Sequence, residues 1–299
     1  MSRKIGIIGL GAMGFAMAKR LIERQYRVTG FDLRSEPLAA LAACGGYTAE
    51  SPADVAANAD VLILMVVNAD QVDDVLFRDG VAEVMQPGAT VVSMVTSAPD
   101  RVQATAKRVA NSGLQFVDAP VSGGVPGIEA GTLTIMAAAP DAVFADVAPL
   151  LRDIGSNTYH LGTAPGQGAA MKTVNQLLAG VHIAAAAEAL ALAEAEGINV
   201  ATALEVLSNS AASSWMLRDR GARMIEPGPE VRSAIDIFVK DLGIVEDTGR
   251  SRRFGLPLAS AALQLYLAAS GSGLGKHDDS QLFAHYRRIN GTGPKQGDA

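Results

Sequence analysis

Cysteine is nearly absent from this chain. Cys44 is the only one among 299 residues, so no intramolecular disulfide can form. It lies beside Gly45-Gly46 near a predicted helix end and reads as a small, semi-buried residue rather than a catalytic thiol. Basic excess is also missing. The net charge is −6 and the pI near 5.3, which leaves no field for nucleic acid and no basic amphipathic helix for a membrane surface. Long hydrophobic runs are scarce. The longest, Val181 to Ala193, carries His182 and Glu188, is too short to cross a bilayer, and reads as a buried helix. Arg3-Lys4 ahead of apolar residues imitates a leader peptide, but that run is short and its glycines have a better explanation. His160, His182, His277 and His285 show no metal-ligand spacing, and no metal is expected; Asp278-Asp279 reads as a solvated loop. There is no internal repeat. These absences predict a soluble, cytoplasmic protein that binds neither nucleic acid nor membrane.

What is present is a strong amino-terminal signature. A short apolar run, Lys4-Ile5-Gly6-Ile7-Ile8, feeds Gly9-Leu10-Gly11-Ala12-Met13-Gly14 and then a helical pattern from Phe15 to Arg24. A second apolar run, Arg27 to Phe31, ends at Asp32. Strand, glycine turn, helix, strand and acid, in that order, form a dinucleotide-binding unit. Gly9 permits the tight turn, Gly11 the approach of a pyrophosphate, and Gly14 the packing of helix on strand. The helix start offers free N–H groups to the phosphates. Asp32 is placed to accept from the adenosine ribose hydroxyls, which favours NAD over NADP because a 2′-phosphate would be repelled. Arg34 could instead pair with such a phosphate or lie solvated, so NADP stays open.

The rest of the first half alternates in type. Runs at Val61–Val67, Thr90–Met94 and Leu114–Val117 read as further strands, with helices near 36–43, 52–58, 70–78 and 98–111. That alternation predicts an α/β, doubly wound, mostly parallel sheet of the Rossmann type. Thr132–Ala138 and Thr158–Leu161 could add strands around a helix near 141–152. The second half reads as all-α: one long helix from about Gln167 to Glu196, then segments near 200–209, 213–224, 233–252 and 257–270. The turn-rich stretch Gly162 to Gly166 places the boundary between a dinucleotide-binding domain, 1–163, and an all-helical domain, 164–299. The polar, glycine-rich residues 290–299 read as a disordered tail.

Two segments carry candidate chemistry. Asp118-Ala119-Pro120-Val121-Ser122-Gly123-Gly124 follows a predicted strand, where α/β sheets bind ligands. The Ser122 hydroxyl and the N–H groups of Gly123 and Gly124 can cradle a carboxylate; a tight surface turn is the alternative. In Gly166-Gln167-Gly168-Ala169-Ala170-Met171-Lys172-Thr173-Val174-Asn175-Gln176, Lys172, Asn175 and Gln176 share one helical face. A lysine on so apolar a helix suits general acid–base work if buried, since burial favours its neutral form; otherwise it snorkels to solvent.

At these residues, together with Phe238-Val239-Lys240-Asp241-Leu242-Gly243, the chain resembles the β-hydroxyacid dehydrogenases, the family of 3-hydroxyisobutyrate dehydrogenase and tartronate semialdehyde reductase. The resemblance covers nearly the whole chain. It implies an NAD-dependent dehydrogenase of small hydroxy acids, with Lys172 as the acid–base group and Ser122, Gly123 and Gly124 as the substrate-carboxylate loop. Asn175 is implied as the lysine's polar partner, Thr96 as a nicotinamide-side contact, and Lys240 as a cofactor contact from the helical domain; without the resemblance Lys240 reads equally as a helix-surface charge paired with Asp241. Leu10, Ala12 and Met13 belong to the cofactor loop with the three glycines. A narrower resemblance, carried by Gln176 to Ala189, Ser214-Trp215-Met216 and Ser233 to Gly243, points to the branch that oxidises L-threonate at C2. Oxidation of 3-hydroxyisobutyrate or reduction of tartronate semialdehyde is the alternative. A dinucleotide-binding module without activity would fit a chain lacking the lysine, which this one has. The alanine-rich long helix and the family together imply self-association as a dimer or tetramer.

Overall fold

The computed structural model describes residues 3–292. They fall into two compact units, one ending at Lys172 and one beginning at Thr173. Each is described by itself.

The first unit is built on six parallel strands: β1 (Lys4–Ile8), β2 (Arg27–Phe31), β3 (Tyr47–Thr48), β4 (Val61–Leu64), β5 (Thr90–Ser93) and β6 (Gln115–Asp118). Their order is β3-β2-β1-β4-β5-β6. This is the doubly wound Rossmann arrangement, whose direction reverses between β1 and β4. Side chains alternate between the faces of a strand, and both faces are covered. Ile5, Ile7, Val61, Ile63 and Val92 join one buried cluster with Met17 and Leu21 of α1 (Ala12–Glu23). Ile8, Leu62, Leu64 and Val91 join another with Val55, Val72, Leu76 and Val102. The continuous apolar runs seen in the sequence are therefore strands buried on both sides. A chain buried on only one side would have shown an alternating pattern.

The helices between the strands are α2 (Ser35–Ala43), α3 (Pro52–Ala56), α4 (Ala69–Asp73), α5 (Val81–Val84) and α6 (Pro99–Asn111). Ser51 caps α3 by accepting from Asp54 N, and Asn68 caps α4 by accepting from Gln71 N. Beyond β6 a smaller sheet forms from β7 (Val121–Ser122), β8 (Thr134–Ala137) and β9 (Asn157–His160), with α7 (Gly124–Glu129) and α8 (Asp141–Ile154) interspersed. Strand β7 pairs antiparallel to β8, and β9 parallel to it. The two-residue strands β3 and β7 carry too little pattern to be read from sequence.

The second unit contains no strand among the described residues. It comprises most of α9 (Gln167–Ala195), then α10 (Val200–Ser208), α11 (Trp215–Ile225), α12 (Ile235–Arg252), α13 (Pro257–Ala269) and α14 (Leu282–Asn290). Small residues let these helices approach closely. A Cβ on Gly180 would stand 2.9 Å from the Leu242 side chain. The Tyr266 ring is wholly buried, stacks on Phe238 at 5.3 Å, and donates its hydroxyl to Gly180 O at 3.3 Å. Helix α9 spans 29 residues, long and apolar enough by composition to cross a membrane, so the sequence-based argument from length does not hold. Half of its most apolar window is nevertheless buried within the protein, as in a core helix. Asn290 ends α14 with Gly291 as its left-handed cap; the predicted tail's residues 293–299 lie outside the described ones.

The Asp278-Asp279 segment corrects another expectation. Both side chains are fully buried. Asp278 Oδ1 accepts from Arg223 Nε at 3.1 Å and Oδ2 from Arg232 N at 2.8 Å, while Asp279 faces Arg220 Nε at 3.1 Å. Burial pushes both carboxyls up. Bonds from Ser280, Arg232 and Arg223 bring Asp278 below its ordinary value, whereas Asp279 stays above. Arg223, itself buried, also reaches Asp219. Removing one member of such a cluster leaves an uncompensated buried charge. Arg223→Ala should therefore destabilise the protein by about 3–5 kcal/mol in urea denaturation; a loss below about 1 kcal/mol would mean that the cluster behaves as a surface ion pair.

Candidate active site

The three glycines of the first turn separate into two kinds. Gly9 has φ +92°, and a Cβ there would stand 2.5 Å from Met65 O. A Cβ on Gly14 would overlap the Gly9 carbonyl. Both are glycine because the protein's own backbone leaves no room. Gly11 differs: it has ordinary dihedrals, and a Cβ would meet nothing within 4 Å. It is the N-cap of α1, with no side-chain cap and no acid in the first turn. Open space in front of a helix start with exposed N–H groups fits a pyrophosphate. The residues here thus fit a dinucleotide, with the constraint at Gly11 belonging to the ligand.

Asp32 is tied to this loop. Its Oδ2 accepts from Leu10 N at 2.9 Å, and its Oδ1 from Arg34 N at 3.0 Å. The Arg34 guanidinium adds bonds of 2.9 and 3.2 Å. Burial would raise the Asp32 carboxyl, but bonds from Arg34 and Leu10 hold it below the usual carboxylate range. Arg34 is exposed, as a surface arginine would be, but it is not free: it sits on the carboxylate expected to receive the ribose. Sequence could not show this, because the pairing depends on how the chain turns after β2.

Further candidates stand just past the carboxyl ends of parallel strands. Thr96 follows β5 and is half-buried. The sequence reading passed over Val66 and Val67, which follow β4 across the switch point from Gly9. Val67 is 61% exposed, as an apolar group at a ligand edge can be. Knowledge of the strand order would have flagged it.

Ser122 ends β7, and Gly123 and Gly124 follow with φ of +123° and +63°. Space around both would accept a Cβ, so the backbone conformation is what demands glycine. Lys172 is buried in the second turn of α9. Asp118, which the sequence reading left without a role, is 1% exposed at the end of β6. Its Oδ2 accepts from Gly166 N at 2.8 Å and Ala169 N at 2.9 Å, at the head of the lysine's helix. Burial pushes this carboxyl up to about 6, against the pull of bonds from Ala169, Gly166 and Gly168.

In the second unit, Asn175 Nδ2 donates to Gln176 Oε1 at 2.8 Å, and Gln176 Nε2 donates to Asp241 Oδ2. Asp241 Oδ1 lies 2.7 Å from Lys240 Nζ. Asn175 and Lys240, far apart in sequence, thus meet through two intervening side chains. The Lys240–Asp241 pair is the one the sequence offers, but Asp241 is buried rather than on the surface, and its bond from Gln176 is what sequence could not show. Trp215, read as core or interface, is half exposed at the start of α11.

Two family models match. Residues 4–162 match the NAD binding domain of 6-phosphogluconate dehydrogenase, and residues 166–286 the NAD-binding domain of NADP-dependent 3-hydroxyisobutyrate dehydrogenase. The chain is 44% identical to an L-threonate dehydrogenase of Cupriavidus necator, over 94% of this chain and 95% of that one. It is 41% identical to an L-threonate dehydrogenase of Escherichia coli, over 97% of each. A crystal structure described as 3-hydroxyisobutyrate dehydrogenase from Salmonella typhimurium superposes with a TM-score of 0.90 at 42% identity, covering 95% of this chain and 99% of that one.

The glycine analysis generates a paired test. Gly14→Ala should cost about 1–3 kcal/mol by overpacking and lower the thermal midpoint. Gly11→Ala should leave that midpoint unchanged and weaken NADH binding about tenfold or more, one such factor being worth about 1.4 kcal/mol. Fluorescence titration and calorimetry read the two effects. Unaltered NADH affinity in Gly11→Ala would remove the pyrophosphate from this turn.

Proposed function

From the premise that the chain belongs to the β-hydroxyacid dehydrogenases, as an NAD(P)-dependent oxidoreductase of the 3-hydroxyisobutyrate dehydrogenase type, we propose that it oxidises L-threonate at C2 to the 2-oxo acid with NAD. The observation that carries this reading is Lys172, a lysine buried in a helix whose first turn is held by Asp118. L-Threonate is favoured by relatives of that name at 44% and 41% identity across nearly the full chain. The Salmonella structure's description makes 3-hydroxyisobutyrate the second reading.

Bound nicotinamide supplies the hydride acceptor. Ser122 Oγ and the Gly123 and Gly124 N–H groups hold the substrate carboxylate and set which carbon is presented. Lys172, entering as the neutral amine, takes the C2 hydroxyl proton; in reverse, its ammonium returns that proton to the forming alcohol. The Asn175 amide, one helical turn on, donates to the developing alkoxide, where an oriented dipole stabilises charge without reorganising. Lys240 contributes positive charge to the cofactor. Glycines 9, 11 and 14 with Leu10, Ala12 and Met13 form the pyrophosphate turn, Thr96 contacts the nicotinamide side, and Asp32 takes the ribose hydroxyls once the Arg34 side chain yields its place.

The surface of α9 supports reading the protein as a homo-oligomer. Val174, Leu178 and Leu192 are exposed apolar residues at helical spacing along it, and a second copy of the chain would cover that stripe. The cytoplasm is the proposed compartment, with half of the same helix's apolar window already buried in the protein.

The reading is tested by reduced-nicotinamide absorbance with L-threonate, 3-hydroxyisobutyrate and other small hydroxy acids. L-Threonate should give the highest kcat/KM with NAD. A higher value for 3-hydroxyisobutyrate would reassign the substrate.

Two sets of variants examine the roles. Lys172→Ala should lower kcat at least about a hundredfold while NADH still binds. Lys172→Arg should fail almost as badly, because arginine keeps its proton; an active arginine variant would reduce Lys172 to a charge. Asp32→Ser should shift preference towards NADP, with Arg34 freed to meet the 2′-phosphate. A wild type already equal with both cofactors would contradict the role given to Asp32.

A further inference from the structure

A helix start leaves its first N–H groups without internal partners, and the N-cap side chain usually satisfies the third of them. Helix α9 has no such side chain: its first residue is Gln167, and the residue before it is Gly166, with φ +98°. Asp118 does the work from 51 residues away. One carboxylate oxygen accepts both the N-cap N–H, Gly166, and the third-position N–H, Ala169. These are the two donors that a capping box satisfies with two different residues.

The anchor is itself immobile. Asp118 N donates to Ala138 O at 3.1 Å, and Ala138 N donates to Asp118 O at 2.8 Å. Asp118 also pairs in register with Ser93 of β5. The helix start is seated directly on it: a Cβ on Gly168 would overlap Met136 O and stand 2.8 Å from Asp118 O. Ala169 and Lys172 are three residues apart and so are neighbours on the helix surface. In the other direction Asp118 opens the loop that reaches Ser122 four residues later. One residue thus sets the origin of both segments.

We propose that Asp118 is a positioning residue for Lys172: through its two bonds to the first turn of α9 it sets where the lysine amine stands relative to the carboxylate loop. The proposal rests on the reading of Lys172 as the acid–base group. Asp118 is too deeply buried to touch substrate, so it acts through the helix. Its contribution is geometric and appears in kcat, with substrate and cofactor binding left nearly intact.

Two conservative variants separate position from charge and from stability. Asp118→Asn keeps the size and one acceptor oxygen, which can take both N–H groups, and loses the charge. Asp118→Glu keeps charge and acceptor but lengthens the anchor by one methylene, pushing the first turn outward. With L-threonate and NAD, Asp118→Asn should retain kcat within about threefold of wild type. Asp118→Glu should lose about tenfold or more, as displacements near 1 Å can cost up to about a hundredfold. KM for L-threonate and the Kd for NADH should change less than about threefold in either, with both proteins folded by circular dichroism. Wild-type kcat in folded Asp118→Glu, or an equal loss in both variants, overturns the positioning role. So does a Glu variant that cannot fold beside an Asn variant with impaired kcat. Lys172→Ala, assayed alongside, distinguishes the premise: if it stays active, the lysine reading fails and this proposal falls with it.

Discussion

One buried carboxylate ties together the elements that meet at the carboxyl end of β6 in the first unit. The Asp118 backbone closes the last pairing of the six-stranded sheet and bridges to Ala138 just past the end of β8, while its side chain caps the helix bearing Lys172. Burying a charge is unfavourable unless bonds compensate. Here the compensation comes from N–H groups that would otherwise be orphans at a helix start. Each requirement meets the other, and a negative charge at the positive end of a helix adds to the balance. The result is a fixed point from which the Ser122-Gly123-Gly124 loop and the helix bearing Lys172 both depart.

The opposite use of space appears at the cofactor turn. Gly9 and Gly14 are held by the fold, since any side chain there would collide with backbone. Gly11 is free of such demands, and its role is intelligible only with a ligand present. Asp32 likewise serves the protein first, bonding Leu10 N and thereby orienting the turn. Its pairing with Arg34 means that any ligand group taking up this carboxylate must exchange one set of bonds for another.

In the second unit the buried charged side chains fall into two clusters. The chain of side chains from Asn175 through Gln176 and Asp241 to Lys240 lies in an otherwise apolar helical packing. A second cluster, of Arg220, Arg223, Asp278 and Asp279, ties a loop to α11. Such clusters are poor sources of net stability compared with apolar packing, and breaking one partner is costly. Both therefore restrict the alternatives open to the helices around them.

By itself the sequence determined the alternation of strands and helices, the glycine turn that opens α1, and the motif order that identifies the family. Those features are local: hydrophobic period, glycine spacing and motif order are written within short windows. Tertiary structure alone decided what depends on contacts between distant residues. It placed Asp118 at the head of α9, Arg34 on Asp32, and Gln176 and Asp241 between Asn175 and Lys240. It buried Asp278 and Asp279, which composition reads as solvated, because two arginines from α11 reach them. It also paired β3 with β2 and β7 with β8, strands too short to carry a pattern of their own. The common reason is physical. A buried polar group is stabilised by whichever partner the fold brings to it, and that partner can stand fifty residues away.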